Sequence, residues 1–239
     1  MDRLIGKHPL QRLHSPSRGV SAFVHSLGLL SFSLSFKYLV DWPNPVNDSY
    51  GWHMQYLTII GLSLATATFI VGLLADAFQS PRLFLIKNNL AVASAPLEVL
   101  ISLLYWSIRS IDKNLVMPEW VKLDLRADLG FHAVPAIMLV VDLLLLSPPW
   151  TISALPSIGV SGVLAFSYWL WVEQCYKHNG WYPYPLFEAL SQPWRLVLFT
   201  FSALVMALST ATLKWLYGRV NGFGTSSDPH AKPGDVKKA

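Results

Sequence analysis

Three residues in an otherwise strongly apolar chain have the types needed for acyl chemistry. His132 lies near the start of "DLGFHAVPAIMLVVDLLLL" (residues 128–146), and Thr58 lies near the start of "HMQYLTIIGLSLATATFIVGLLA" (residues 53–75). A hydroxyl and an imidazole can act together as nucleophile and general base. Asp128 precedes His132 by four residues, which puts both on one helix face, where the carboxylate can orient the ring. Pro135 has no N–H, so the carbonyl of Phe131 loses its helical donor and is a second candidate for holding the imidazole. Taken singly, each residue has an ordinary explanation. Threonines in apolar helices usually bond back to a carbonyl of the preceding turn, and a histidine here also suits the headgroup region of a bilayer.

The elements that must position these residues follow from composition. Of 239 residues, 53% are hydrophobic and 13% charged, where a soluble domain carries about 25% charged residues. Six stretches, at 20–40, 53–75, 88–108, 129–147, 154–174 and 194–217, approach the roughly 20 apolar residues that a spanning helix needs. A lone segment in lipid must satisfy its own backbone hydrogen bonds, so each is expected to be helical. The expected fold is an all-α membrane protein, a bundle of about six transmembrane helices over 20–217. It is flanked by a basic segment at 1–19 and a Gly/Pro/Ser-rich tail at 218–239 expected to be disordered. Ten tryptophans and nine tyrosines suit two membrane interfaces.

With the N-terminus inside, eleven Lys and Arg residues fall in inner segments and six in outer ones. Arg82 and Lys87 are counted in the inner loop, and Lys37 lies within a span. The bias places both termini in the cytoplasm. Spans two and four then both run inward from the outer face, with Thr58 and His132 roughly 5–8 Å from the same interface at about 1.5 Å per residue.

Other ionisable residues fall in or near the spans: Glu98 in mid-span three, Asp142 and Asp76 toward inner ends, and Glu173 near the outer end of span five, at the depth of His132. A carboxyl in hydrocarbon is either protonated or paired. For Glu98 the expected role is a protonated, hydrogen-bonding link between helices. The net charge of +4 sits mostly in flanks and tails, not in a basic stripe with interleaved aromatics, so nucleic acid is not an expected partner. The single cysteine, Cys175, excludes an internal disulfide and a Cys-pair metal site. The seven histidines show no metal spacing. "GVSGV" at 159–163 has Val163 where a nucleophile elbow needs its last glycine. There is no phosphate loop or dinucleotide fingerprint, so no cofactor is implied. "NDS" at 47–49 is a formal glycosylation sequon in an outer loop.

The order and spacing of several segments carry a resemblance. Lys37 ends span one, and "YLTIIGLSLATATFIVGLLAD" has an aromatic–Leu–Thr entry and an Asp exit. "LAVASAPLEVLISLLYW", "MPEWVKLDLRADLGFH" and "WVEQCYKHNGWYPYPLFEAL" follow in turn. Over about residues 25–217 the chain resembles the androgen-induced protein family, which includes the androgen-dependent regulator of tissue factor pathway inhibitor. The resemblance implies a multi-pass membrane threonine hydrolase that cleaves fatty acid esters of hydroxy fatty acids. Its catalytic threonine and histidine fall on Thr58 and His132. Asp128, Glu173 and Tyr182 are the candidates for orienting the base or lining the site. A lipid with acyl chains is the implied substrate, and the endoplasmic reticulum or another endomembrane the expected location. Two other classes stay open. One is a non-catalytic membrane scaffold or regulator. The other is a proton-coupled transporter using Glu98, Asp142 and His132, although no internal repeat of the kind many transporters show is visible.

Overall fold

Backbone hydrogen bonding decides the architecture, because a segment inside lipid has no water to satisfy its N–H and C=O groups. The computed structural model describes residues 11–118, 121, 123–150 and 152–221. Its helices are α1 (Val20–Asp41), α2 (Leu57–Phe78), α3 (Pro81–Ile111), α4 (Leu125–His132), α5 (Val134–Val141), α6 (Ala154–Asn179), α7 (Pro185–Ala189) and α8 (Gln192–Asn221). Five of these are long and apolar enough to cross a bilayer, and α4 with the stretch Val134–Leu146, bent by 43°, makes a sixth if the pair is one span. The protein is a multi-pass α-helical membrane protein. Of the tail expected to be disordered at 218–239, residues 218–221 instead continue α8; the rest of it and the first ten residues lie outside the described residues.

Large apolar side chains that a soluble bundle would bury are exposed in rows, among them Phe23, Leu27 and Leu30 on α1 and Phe201, Leu204 and Leu208 on α8. These rows face lipid. Inside, α2 packs along α3, α1 along α2, α6 along α8, and α3 joins the two groups through α8. Phe32, Leu62, Phe69, Leu139 and Leu143 form the core of the α1–α5 group. Tyr168, Val172, Phe187 and Phe199 form that of the α6–α8 group, and Leu97, Leu100, Ile101 and Met206 bridge them.

Several boundaries differ from the sequence expectation, and two of them bear on the packing. Span two starts at Leu57, because residues 52–55 form a separate 3-10 turn that places His53 ahead of the helix. Span three starts at Pro81, with Ser80 capping its first turn through Leu83 N. Lys87 is therefore not a loop residue. It lies inside α3 with no exposure, and its Nζ is 2.6 Å from Asp142 Oδ2.

Lys87 belongs to a buried cluster at the end of the bundle where the chain enters and leaves. His25 Nδ1 is 2.6 Å from Asp76 Oδ2, and His25 Nε2 is 3.0 Å from Asp142 Oδ1. Both ring nitrogens face carboxylate oxygens, so an imidazolium donating twice balances the charge as two cations and two anions. Lys87 also donates to Ser147 Oγ at 2.8 Å, and Ser21 Oγ donates to Asp76 Oδ1 at 2.7 Å. The close approach requires Gly72, since a Cβ there would lie 2.6 Å from His25 Nε2. The N-terminal stretch seals this end: Leu13 N donates to Leu145 O at 2.9 Å, Ser17 N to Asp76 Oδ1 at 2.9 Å, and Arg12 Nε to Val220 O at 2.8 Å.

Removing one member of a buried ion pair leaves an uncompensated charge, at a cost of about 3–5 kcal/mol. Lys87→Met should therefore destabilise the protein by about that much in detergent unfolding. Lys87→Met combined with Asp142→Leu should recover most of the loss. A double variant less stable than the single would show that the pair itself is strongly net stabilising.

Candidate active site

Thr58 is the second residue of α2. The other hydroxyls along this helix bond back one turn: Ser63 to Ile59 O at 2.7 Å, Thr66 to Leu62 O at 2.7 Å and Thr68 to Leu64 O at 2.8 Å. Thr58 has no preceding helical turn to bond to. Its Oγ1 instead lies 3.5 Å from the phenol oxygen of Tyr184.

The loop before α2 is anchored to α6, which fixes where the helix starts. Tyr168 donates to Gln55 O at 3.0 Å, Trp171 Nε1 to Met54 O at 2.9 Å and Asn179 Nδ2 to Tyr50 O at 3.0 Å. Gly51 turns the chain with φ +86, and a Cβ there would sit 2.8 Å from Cys175 Sγ. The sequon asparagine, Asn47, is engaged inside this loop: its Oδ1 accepts from Asn44 N at 2.9 Å and lies 3.3 Å from His53 Nε2.

His132 is the last residue of α4, at the break in the span. Its Nδ1 lies 3.0 Å from Asp128 Oδ1 and 3.1 Å from Asp128 O. The acceptor is thus the i−4 residue, by side chain and backbone, and not the Phe131 carbonyl that Pro135 frees. Pro135 acts by breaking the helix, with Ala133 at φ −128, ψ −48 between the two pieces. With Nδ1 donating to Asp128, the Nε2 lone pair is the basic one.

Two residues not singled out in the sequence complete this group. Tyr105 lies face to face on the imidazole, with ring centroids 3.4 Å apart and planes within 3°, and donates to Asp128 Oδ1 at 2.6 Å. One turn later Arg109 donates to the Tyr105 hydroxyl at 3.0 Å and pairs with the Asp128 carboxylate. Two i, i+4 pairs, Tyr105–Arg109 on α3 and Asp128–His132 on α4, therefore interlock. Asp128 is buried to 1% exposure, and its carboxylate meets an imidazole, a phenol and a guanidinium. The Tyr105–Arg109 spacing was visible in the sequence, but nothing there pointed to Asp128 as the partner.

Thr58, Tyr105 and Tyr184 share a cavity of about 310 Å³ between α2, α3, α6 and α8. Its other walls are almost wholly apolar, formed by side chains such as Leu97, Leu100, Leu164 and Phe199. Tyr105 forms the wall on the side of His132, with the imidazole stacked against it. No hydrogen bond joins Thr58 to His132. The hydroxyl and the base occupy the same end of the bundle, but His132 does not line the cavity and lies behind the Tyr105 ring.

Glu173 and Tyr182 do not join this group. Tyr182 donates to Glu173 at 3.0 Å, and Arg195 donates to Glu173 Oε1 at 3.1 Å, forming a separate cluster between α6 and α8. Glu98 is 1% exposed, and its Oε1 is buried without a hydrogen-bond partner among the described residues. It lies against Gly61 on α2, where a Cβ would be 2.6 Å away, so the expected hydrogen-bonded link is not formed. Asp142 is held by His25 and Lys87 at the far end from His132, so the three residues of a possible proton relay do not connect. Among the described residues no group of three His, Cys, Asp or Glu side chains could hold a metal ion.

A family model for FAR-17a/AIG1-like proteins matches residues 20–218. A UPF0641 membrane protein of Schizosaccharomyces pombe is 34% identical over 210 residues, covering 85% of this chain and 92% of that one. No solved structure matches the chain.

The loop that fixes α2 contains a titratable residue outside the spans. Burial pushes His53 down to about 4, from about 6.5 in an unfolded chain. The neutral ring's contribution is complete above about pH 6.5 and is lost as the pH falls toward 4, where the unfolded loop binds a proton that the folded loop excludes. Hydrogen exchange of residues 45–58, corrected for the intrinsic rate, should accelerate across that window and not in His53→Gln.

Proposed function

The chain belongs to the FAR-17a/AIG1-like family, and on that premise we propose that it is an intramembrane lipid-ester hydrolase with Thr58 as nucleophile and His132 as base. The observation that carries the proposal is the occurrence of a threonine hydroxyl that does not bond back to its own helix, at an apolar cavity, with a histidine oriented by a buried carboxylate at the same end of the bundle. The Thr58 oxygen attacks the ester carbonyl, and its proton passes to His132 Nε2, for which the Tyr105 ring between the imidazole and the cavity must shift. The Oγ–C bond forms, and the C–O bond to the alcohol breaks as His132 returns the proton to the leaving oxygen. Water activated by the same imidazole then releases the acid from the acyl-threonine. Asp128 keeps the imidazole in the tautomer that leaves Nε2 basic and stabilises the imidazolium. Hydrogen bonds between catalytic groups are often long in unliganded enzymes and tighten when substrate binds.

The cavity walls suit an acyl chain, which enters from the lipid rather than from water. Esters of fatty acids with hydroxy fatty acids fit this chemistry, since both products carry chains. An endomembrane such as the endoplasmic reticulum, with both termini in the cytoplasm, is the setting consistent with the charge distribution. The competing assignment is a non-catalytic membrane scaffold, favoured by the missing Thr58–His132 hydrogen bond.

Labelling with a fluorophosphonate probe separates the two. The purified protein should label, and Thr58→Ala and His132→Ala should each abolish labelling while keeping the wild-type melting temperature. Asp128→Asn, which reverses the tautomer preference, should slow labelling by roughly 10²–10⁴-fold. Wild-type protein that does not label, or a Thr58→Ala variant that labels normally, excludes the threonine hydrolase.

A further inference from the structure

If Thr58 attacks an ester, the carbonyl oxygen becomes an oxyanion in an apolar cavity, and something must donate to it. Donors already aimed at that position contribute more to rate than most other groups in such a site. The structure contains a set that the reaction as described does not use.

The first turn of α2 has no side-chain cap, and its N-cap residue is Tyr56. Leu57 and Thr58, as the first two helical residues, have N–H groups with no intrahelical acceptor, at the positive end of the helix dipole. Neither N–H is hydrogen-bonded to Tyr184, whose phenol oxygen lies near them and 3.5 Å from Thr58 Oγ1. Tyr184 has little freedom to be elsewhere. It lies between Pro183 and Pro185, and a residue before proline is driven to extended backbone. Its φ of −114 and ψ of 125 are of that kind. Its ring is held edge-on by Tyr56 at 5.4 Å and Phe187 at 5.5 Å.

We propose that Tyr184 is a catalytic residue of the hydrolase described above, its phenol O–H forming the oxyanion site together with the backbone N–H groups of Leu57 and Thr58. The inference rests on Thr58 being the nucleophile. As Thr58 Oγ bonds to the acyl carbon, the carbonyl π pair moves onto the oxygen. That oxygen is two bonds from Thr58 Oγ, within reach of the phenol and of the nucleophile's own N–H. When the alcohol leaves with its proton, the pair returns to the carbonyl and the donors relax. No proton moves to or from Tyr184. Burial raises the ionisation of this phenol above its ordinary range, so the hydroxyl stays protonated and can donate throughout.

A purely structural tyrosine at this position would affect bound substrate and tetrahedral adduct alike, which an oxyanion donor does not. The test uses the full chain in lipid nanodiscs, with a long-chain alkyl boronic acid that forms a tetrahedral adduct on Thr58. The fatty alcohol of the same chain length is the ground-state probe. Tyr184→Phe should lower kcat and boronate affinity by about 10²–10³-fold, with alcohol affinity and KM changed less than about threefold. If Tyr184→Phe does not fold, ring-difluorinated tyrosine at position 184 keeps the shape and lowers the phenol pKa. Boronate affinity should then fall as that phenol ionises, in a pH window where the unmodified protein shows no such fall.

Equal losses for boronate and alcohol, or an unchanged pH profile with the fluorinated residue, overturn the oxyanion role. Thr58→Ala keeps the two levels apart. Loss of adduct and hydrolysis in Thr58→Ala, with both intact in Tyr184→Phe, rejects Tyr184 and leaves the hydrolase standing. Adduct formation and turnover that persist in Thr58→Ala, or are missing from the wild type, reject both.

Discussion

The four buried charges at the terminal end of the bundle are the constraint on which the remaining geometry depends. His25, Asp76, Lys87 and Asp142 come from α1, α2, α3 and the π-helical turn that ends the broken span. None is exposed by more than 1%. Water cannot replace a missing partner there, so the helices carrying these charges must keep one relative height. A sliding helix would strand a charge in hydrocarbon, which apolar helix packing alone would not penalise so steeply.

That relative height reaches the opposite end. Thr58 precedes Asp76 by eighteen residues on α2, and Tyr105 follows Lys87 by eighteen residues on α3. Eighteen residues are five turns, about 27 Å of helix. Fixing Asp76 and Lys87 in one cluster therefore brings Thr58 and Tyr105 to the same level, where both line one cavity. The broken span then delivers His132 to the face of Tyr105. The break at Ala133 ends α4 at the imidazole, and Asp128 one turn earlier locks onto α3 through Tyr105 and Arg109. The two polar clusters act as clamps at the ends of a common set of helices, and the apolar cavity lies beside the second.

The two clusters differ in what they leave free. At the terminal end each carboxylate faces a cation and each cation a carboxylate, and the interaction is closed. At the site end the Asp128 carboxylate meets Tyr105, His132 and Arg109, while His132 Nε2 and the Thr58 hydroxyl keep unspent bonding capacity. A polar group with spare capacity is costly inside a membrane, which makes it a candidate for function. The contrast distinguishes a group built for holding from one available for chemistry.

Much of the architecture was determined by the sequence alone. Six apolar stretches must be helical because lipid offers the backbone no other partner. The Asp128–His132 contact was equally legible, since residues four apart on a helix are neighbours whatever surrounds them. Sequence could not show that Lys87 belongs to Asp142, fifty-five residues away, or that Tyr105 stacks on His132. Nor could it choose Tyr184 over Tyr182, which lie in near-identical Tyr–Pro steps. Glu173 shared the depth of His132 yet pairs with Arg195, because depth fixes one coordinate and the direction a side chain faces is set by which helices pack together. The Phe131 carbonyl, freed by Pro135 as expected, is passed over for Asp128 for the same kind of reason. A missing donor is a local property, whereas the imidazole is held jointly by Asp128 one turn earlier and by Tyr105 stacked on it from another helix.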